Sequence, residues 1–190
     1  MYTSESGRIR VDVLPQLERF ERSLYHEAGH AVVALAVGVR VKSVMVTNED
    51  ACVVTLRRRR EPPLAEGDVE RMVALEVAGY LAERRVDWRK RAWARRCSET
   101  DFANAGAWVL QGSGPVVGLR CLRMAWRLVT THWSAIAGVA DALRSRSILG
   151  ETELFGVVDE HGLDPRTIDG YEEAIAASRD STACLKVAVC

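Results

Sequence analysis

The sequence has no long apolar run, no excess of one charge and no set of paired cysteines, and each absence removes a class of function. The longest apolar stretch, Ala31 to Val39, falls well short of the ~18 residues that a membrane-spanning helix needs. The first ten residues, MYTSESGRIR, lack the apolar centre of a secretory signal, so the expected location is cytoplasmic. Lys+Arg and Asp+Glu both number 26, and the zero net charge provides no field that would steer the chain toward nucleic acid or an anionic membrane. The five cysteines, Cys52, Cys97, Cys121, Cys184 and Cys190, are odd in number and scattered, which argues against a disulfide framework and fits a reducing compartment. None forms a C-x-x-C zinc pair.

What is present suffices for a folded domain: 190 residues, 48% apolar and 27% charged, can bury a core of their own. After Pro15, residues Leu17, Phe20, Leu24, Ala28, Ala31, Val32 and Leu35 recur at three and four, predicting a helix over 16–37 that Gly38 stops. Two β-branched runs around a polar turn predict a hairpin, 40–47 and 52–57. The four-arginine run 57–60 then reads as a solvated strand exit. Further helices are expected over 65–85, with Glu76 near the apolar stripe, over 99–111, over 117–146 as one long amphipathic helix, and over 151–159. The basic segment 84–96, with Trp88 and Trp93, has a composition that can grip phosphate or a membrane surface but equally fits a solvated loop anchored by two tryptophans. The fold class is therefore α+β, mainly helical, with a small β-hairpin or sheet. Residues 1–160 form the expected domain and 161–190 a C-terminal extension with a helix near 170–178.

The chemistry concentrates in residues 25 to 32, YHEAGHAV. His26 and His30, one turn apart, share a helix face, and zinc hydrolysis needs two such neutral imidazoles, a third protein ligand and one position left to water. Glu27 lies between them, where a carboxylate can take a proton from a water whose pKa zinc lowers to roughly 7. Five residues alone also fit two ordinary helix histidines. The surroundings weigh against that reading: both imidazoles lie in the most apolar helix, where burial without partners is costly. Gly29, inside the helix at a cost of about 1 kcal/mol relative to alanine, implies that something approaches the backbone there. The third ligand is not adjacent. Position 36 is Ala36, which excludes a metzincin, and Glu49 and Asp50, at a thermolysin-like distance, fall in a predicted turn rather than on a helix. His132 reads as a residue of the long helix, His161 as a helix-end residue, and Cys184 and Cys190 lie in a tail of unclear structure.

The stretch ERFERSLYHEAGHAVVALAVG closely resembles the start of the peptidase domain of FtsH-type, ATP-dependent zinc metalloproteases. MVALEVAGYLAERR is similar to that family's next helix, SETDFANAGAWVL to its S-x-x-D-x-x-x-A segment, and AWRLVTTHWSAIAGVADALRSRSILGETEL to its long helix and T-L-x-G-E-E-L end. The likeness covers about residues 14 to 160. It implies zinc as cofactor, Asp101 as third ligand and a polypeptide as substrate. Ser98 and Asp101 also satisfy the spacing of a helix cap. Glu83, in the A-E position, is either a carboxylate that orients a metal-bound histidine or an exposed helix residue. Two departures matter: the chain shows neither a transmembrane segment nor a G-x-x-x-x-G-K-[ST] phosphate loop. The expectation is thus an endopeptidase for unfolded or flexible chains, with a separate ATPase or adaptor and homo-oligomerisation left open. A non-catalytic zinc-containing binding or regulatory module is the alternative.

Overall fold

A computed structural model describes residues 9–47, 51–56, 66–86, 98–111 and 115–163. Its elements run α1 (Ile9–Ala36), β1 (Arg40–Val46), β2 (Ala51–Leu56), α2 (Glu66–Val86), α3 (Glu99–Gln111), α4 (Pro115–Thr131), α5 (Trp133–Arg146), β3 (Ile148–Gly150) and α6 (Glu151–Glu160). The domain is mainly helical, with one small antiparallel sheet, as the periodicities predicted. None of the described helices is long and apolar enough to cross a membrane.

α1 is the axis of the core. Leu24, Ala28, Ala31, Val32, Val33, Ala34 and Leu35 are all fully buried, so its second half is surrounded on every side, by α2, α5 and the sheet. Its end is a Schellman turn: Val39 N–H bonds to Ala34 O at 2.8 Å, Gly38 N–H to Leu35 O at 3.0 Å, and Gly38 adopts φ 78°. The turn delivers the chain into β1. The helix starts at Ile9, earlier than the expected residue 16, and so runs through Pro15; proline there removes a single helical N–H.

β1 is the central strand, with β2 on one side and β3 on the other, both antiparallel. A register shift between Val41 and Ser43 lets Val41 and Val44 both face the core, after which alternation resumes at Val46. Two features depart from the expected pattern. The apolar spacing over 117–146 is continuous, but the backbone breaks at His132 (φ −100°, ψ 24°), dividing it into α4 and α5. Trp133, the first residue beyond the break, stacks on Tyr25 with centroids 5.7 Å apart. The other is β3, three residues that the sequence does not mark, formed because β1 offers a free edge. Bidentate pairing of Arg40 with Glu151 ties the start of β1 to α6. Past α6, Leu163 is buried and its N–H bonds to Val158 O at 3.0 Å, so core packing continues beyond residue 160. The expected helix near 170–178, the arginines 57–60, Glu49, Asp50 and residues 87–96 of the basic segment lie outside the described residues.

Gly29 has its explanation in helix packing. A Cβ at Gly29 would stand 2.7 Å from the Ala82 Cβ and 2.9 Å from the Ala78 backbone O, so it is α2 that approaches α1 there. Gly29→Ala sets about 1 kcal/mol of gained helix propensity against about 1–3 kcal/mol of overpacking on a backbone that cannot yield. It is expected to lower the unfolding free energy in urea. Gly106→Ala, on α3 with nothing within 4 Å of its Cβ, is expected to raise it by up to about 1 kcal/mol.

Candidate metal centre

α1, α2 and α3 meet around the YHEAGHAV turn of α1. His26 Nε2 and His30 Nε2 stand 3.1 Å apart, and Asp101 Oδ2, from the first turn of α3, lies 3.2 Å from the former and 3.5 Å from the latter. Ligand atoms ~2.0–2.1 Å from a tetrahedral zinc stand about 3.3 Å from one another, so the three atoms already have the spacing of one face of that tetrahedron. His26 is 5%, His30 3% and Asp101 0% exposed. Among the described residues they are the one group of three or more His, Cys, Asp or Glu side chains with convergent ligand atoms.

The outer atoms of the rings decide what the inner ones can do. His30 Nδ1 lies 2.8 Å from Leu75 O, an acceptor, so this nitrogen carries the proton and Nε2 carries a lone pair. His26 Nδ1 faces Glu83 Oε2 at 3.5 Å, which places the proton of the neutral ring on Nδ1 as well. Two lone pairs and a carboxylate oxygen then point into the same space. Both Asp101 oxygens are buried without a donor in hydrogen-bond geometry, and with both rings neutral the arrangement is repulsive, so it favours either an added proton or a metal cation. His, His and carboxylate are donors suited to zinc, so the residues present fit that metal.

The helix-cap reading of Ser98 and Asp101 does not describe the structure. Ser98 Oγ is buried and makes no hydrogen bond, while Asp101 turns toward the histidines. Glu83 is 3% exposed rather than a surface residue, and it sits between His26 and Arg22, whose Nε is 3.7 Å from Oε1. Glu27 is 2% exposed, and its negative charge favours protonation of His26. His132 and His161 stay apart from this group: burial lowers the His132 pKa, and His161, at the end of α6, pairs its Nδ1 with Ser134 Oγ at 2.9 Å.

Gly79 was not singled out from the sequence. A Cβ there would stand 2.7 Å from His26 Nε2, 2.6 Å from His30 Cδ2 and closer still to His30 Nε2, so a bare α-carbon of α2 walls the place where the ring nitrogens converge. Its signal was the same as that of Gly29, a costly glycine in a helix interior. The Leu75 carbonyl carries no side-chain signal at all.

No family model matches the chain, and no curated protein matches it. The likeness to FtsH-type peptidases therefore rests on the motifs in the sequence.

Protons and metal compete for the same lone pairs. Burial pulls His26 toward neutrality, but the Asp101 and Glu83 carboxylates that face its two ring nitrogens outweigh it and raise its pKa to about 10 in the metal-free protein. His30 is raised too, the pull of Asp101 exceeding the effect of burial. Burial pushes the Asp101 carboxyl up, and the two histidines more than reverse this, holding it below its usual range. The raised histidine stabilises the metal-free fold fully below its ordinary pKa of 6.5 and loses that contribution as pH climbs to about 10. The lowered aspartate contributes above its ordinary 3.8 and loses its contribution as pH falls. Metal must displace the His26 proton, so zinc binding at pH 7 is expected to release protons, and affinity to rise from neutral pH toward about 10. Calorimetry in buffers of different ionisation enthalpy measures the release; none would contradict direct competition. Gly79→Ala is expected to leave helicity intact and to weaken zinc binding by about 10–100-fold, read by chelator competition, because either ring must leave its outer partner to avoid the new methyl.

Proposed function

We propose that this chain is a zinc-dependent endopeptidase of FtsH type that hydrolyses peptide bonds in unfolded or flexible polypeptides. The observation that carries the reading is the meeting of three lone-pair atoms at tetrahedral spacing, directly beside a buried glutamate. His26, His30 and Asp101 would hold zinc. When bound there, zinc supplies Lewis acidity toward water and toward the scissile carbonyl. Leu75 O and the Glu83 carboxylate keep the two rings turned with Nε2 inward. Glu27 takes a proton from the attacking water on its carboxylate and returns it to the amine nitrogen as the peptide C–N bond breaks. The hydroxyl joins the carbonyl carbon, so water is consumed and the residue is regenerated.

The sheet supports an extended substrate. β1 is paired on both sides, so within the described residues a peptide strand has the outer edges of β2 and β3 to join, and β2 is the longer. Backbone pairing of that kind tolerates many sequences but requires a chain that is already unfolded. These 190 residues contain no phosphate-binding loop of the G-x-x-x-x-G-K type, so the proposed activity is cleavage of chains already unfolded, and a folded substrate would first have to be unfolded by an ATPase or adaptor.

The near-complete burial of all three ligands favours a second reading, a closed zinc-containing binding module, since structural zinc sites are closed whereas catalytic ones keep an open position. Retention of Glu27 opposes it, because a closed site needs no base. Metal content and casein cleavage separate the two. Glu27→Gln is expected to keep zinc and lose about 10²–10⁴-fold in cleavage rate, and Asp101→Ala to lose both zinc and cleavage. Zinc-loaded wild type that cleaves no unfolded protein would leave the binding module as the reading.

A further inference from the structure

α3 carries more than the third ligand. Asn104 and Trp108 follow Asp101 at three and seven residues, on the same face, and both reach a single buried side chain of α2. Asn104 Nδ2 donates to Glu76 Oε2 at 3.3 Å, and Trp108 Nε1 donates to Glu76 Oε1 at 3.4 Å. Glu76 is 2% exposed, while Asn104 and Trp108 are half-buried, so both bonds are partly shielded from water. A carboxylate offers acceptors on both oxygens, and here each oxygen takes a donor from a different turn of α3. Such a two-point grip fixes both the rotation of α3 about its axis and its position along α2.

Those two degrees of freedom decide whether Asp101 faces the histidines. Asp101 itself is held only by the two imidazoles it faces, at 3.2 and 3.5 Å, and the Ser98 hydroxyl makes no cap to fix the start of α3. Tyr80 and Phe102 pack edge to face at 5.0 Å, an apolar contact between the same helices that carries far less directional information. Glu76, Gly79 and Glu83 lie at helical spacing on one stripe of α2. One end holds α3, the middle makes room for the two imidazoles, and the other end holds His26.

We propose that Glu76 is a positioning residue for the metal centre, gripping Asn104 and Trp108 so that α3 presents Asp101 to His26 and His30. The inference rests on the metal-binding reading of that site. Its residue does not touch the ligand atoms; it acts through α3.

Cobalt(II) is a suitable probe, because its visible spectrum reports ligand number and geometry without any need for activity. Wild type and Asp101→Ala come first: if wild type binds no cobalt, the reading of the site fails, independently of Glu76. Given wild-type binding, Glu76→Met keeps the side-chain length and removes both acceptors, leaving Asn104 and Trp108 nothing to donate to. Affinity is expected to fall about 10–100-fold, with the spectrum moving toward that of Asp101→Ala. The pair Glu76→Gln with Asn104→Asp exchanges donor and acceptor, so Gln can donate to residue 104 and still accept from Trp108; it is expected to keep most of the wild-type affinity. A merely structural role would lower the melting temperature of the metal-free protein without changing the spectrum of the folded, cobalt-loaded form. Should Glu76→Met not fold, Trp108→Phe, which keeps the carboxylate and Asn104, serves for the same comparison. Wild-type affinity and spectrum in a folded Glu76→Met, or in Trp108→Phe where that variant must stand in, would overturn the proposal.

Discussion

Everything in this domain depends on how closely α1 and α2 approach. Each helix gives up a side chain to the other: Gly29 of α1 lies against Ala78 and Ala82, and Gly79 of α2 lies against His26 and His30. The two absences are not equivalent. The first lets backbones pack, and without it α2 would stand off from the core. The second uses that proximity, because only a helix this near can offer the Leu75 carbonyl to one ring and the Glu83 carboxylate to the other. A glycine costs about 1 kcal/mol in each helix, a small loss against the burial of the apolar residues that the close approach permits.

That geometry leaves an electrostatic demand. Two imidazoles whose outer nitrogens are committed to acceptors must turn their lone pairs inward, and Asp101 adds a buried negative charge. Either protons or a metal ion can meet the demand. Protons meet it in the metal-free protein, which is why the histidine pKa values rise in spite of burial. A divalent ion satisfies all three atoms at once without changing their spacing, whereas protons leave the rings sharing a single carboxylate. The spacing could thus serve a metal ion as well as the protons that the metal-free protein holds there.

Much of this was legible in the sequence, and the illegible part has a common cause. α1, the β1–β2 hairpin and α2 follow from periodicity because their apolar faces repeat along the chain. The pair His26 and His30 follows from the same periodicity, since four residues return to one helix face. Asp101 does not: it lies 71 residues beyond His30, and resemblance rather than spacing pointed to it. The break at His132 leaves the apolar register intact and so is silent to pattern; it becomes intelligible only when Trp133 is seen against Tyr25. β3 is held by pairing with β1 across the fold, and Leu75 contributes a backbone oxygen that any residue could provide. What escapes the sequence is contact between distant segments, especially contact through atoms that every residue has.

The same distinction bears on why the site should be cooperative with the fold. Its ligands come from two helices, and the third helix, α2, contributes no ligand yet touches every part. Glu76 holds α3, Gly79 admits the rings, Glu83 holds His26 and Leu75 O holds His30. A metal ion bound by α1 and α3 would therefore clamp α2 between its partners, adding its binding free energy to the stability of all three. Conversely, any displacement of α2 moves both rings and the carboxylate together. The chemistry proposed for Glu27, which is next in sequence to His26 and as deeply buried, would inherit its geometry from a helix to which it does not belong.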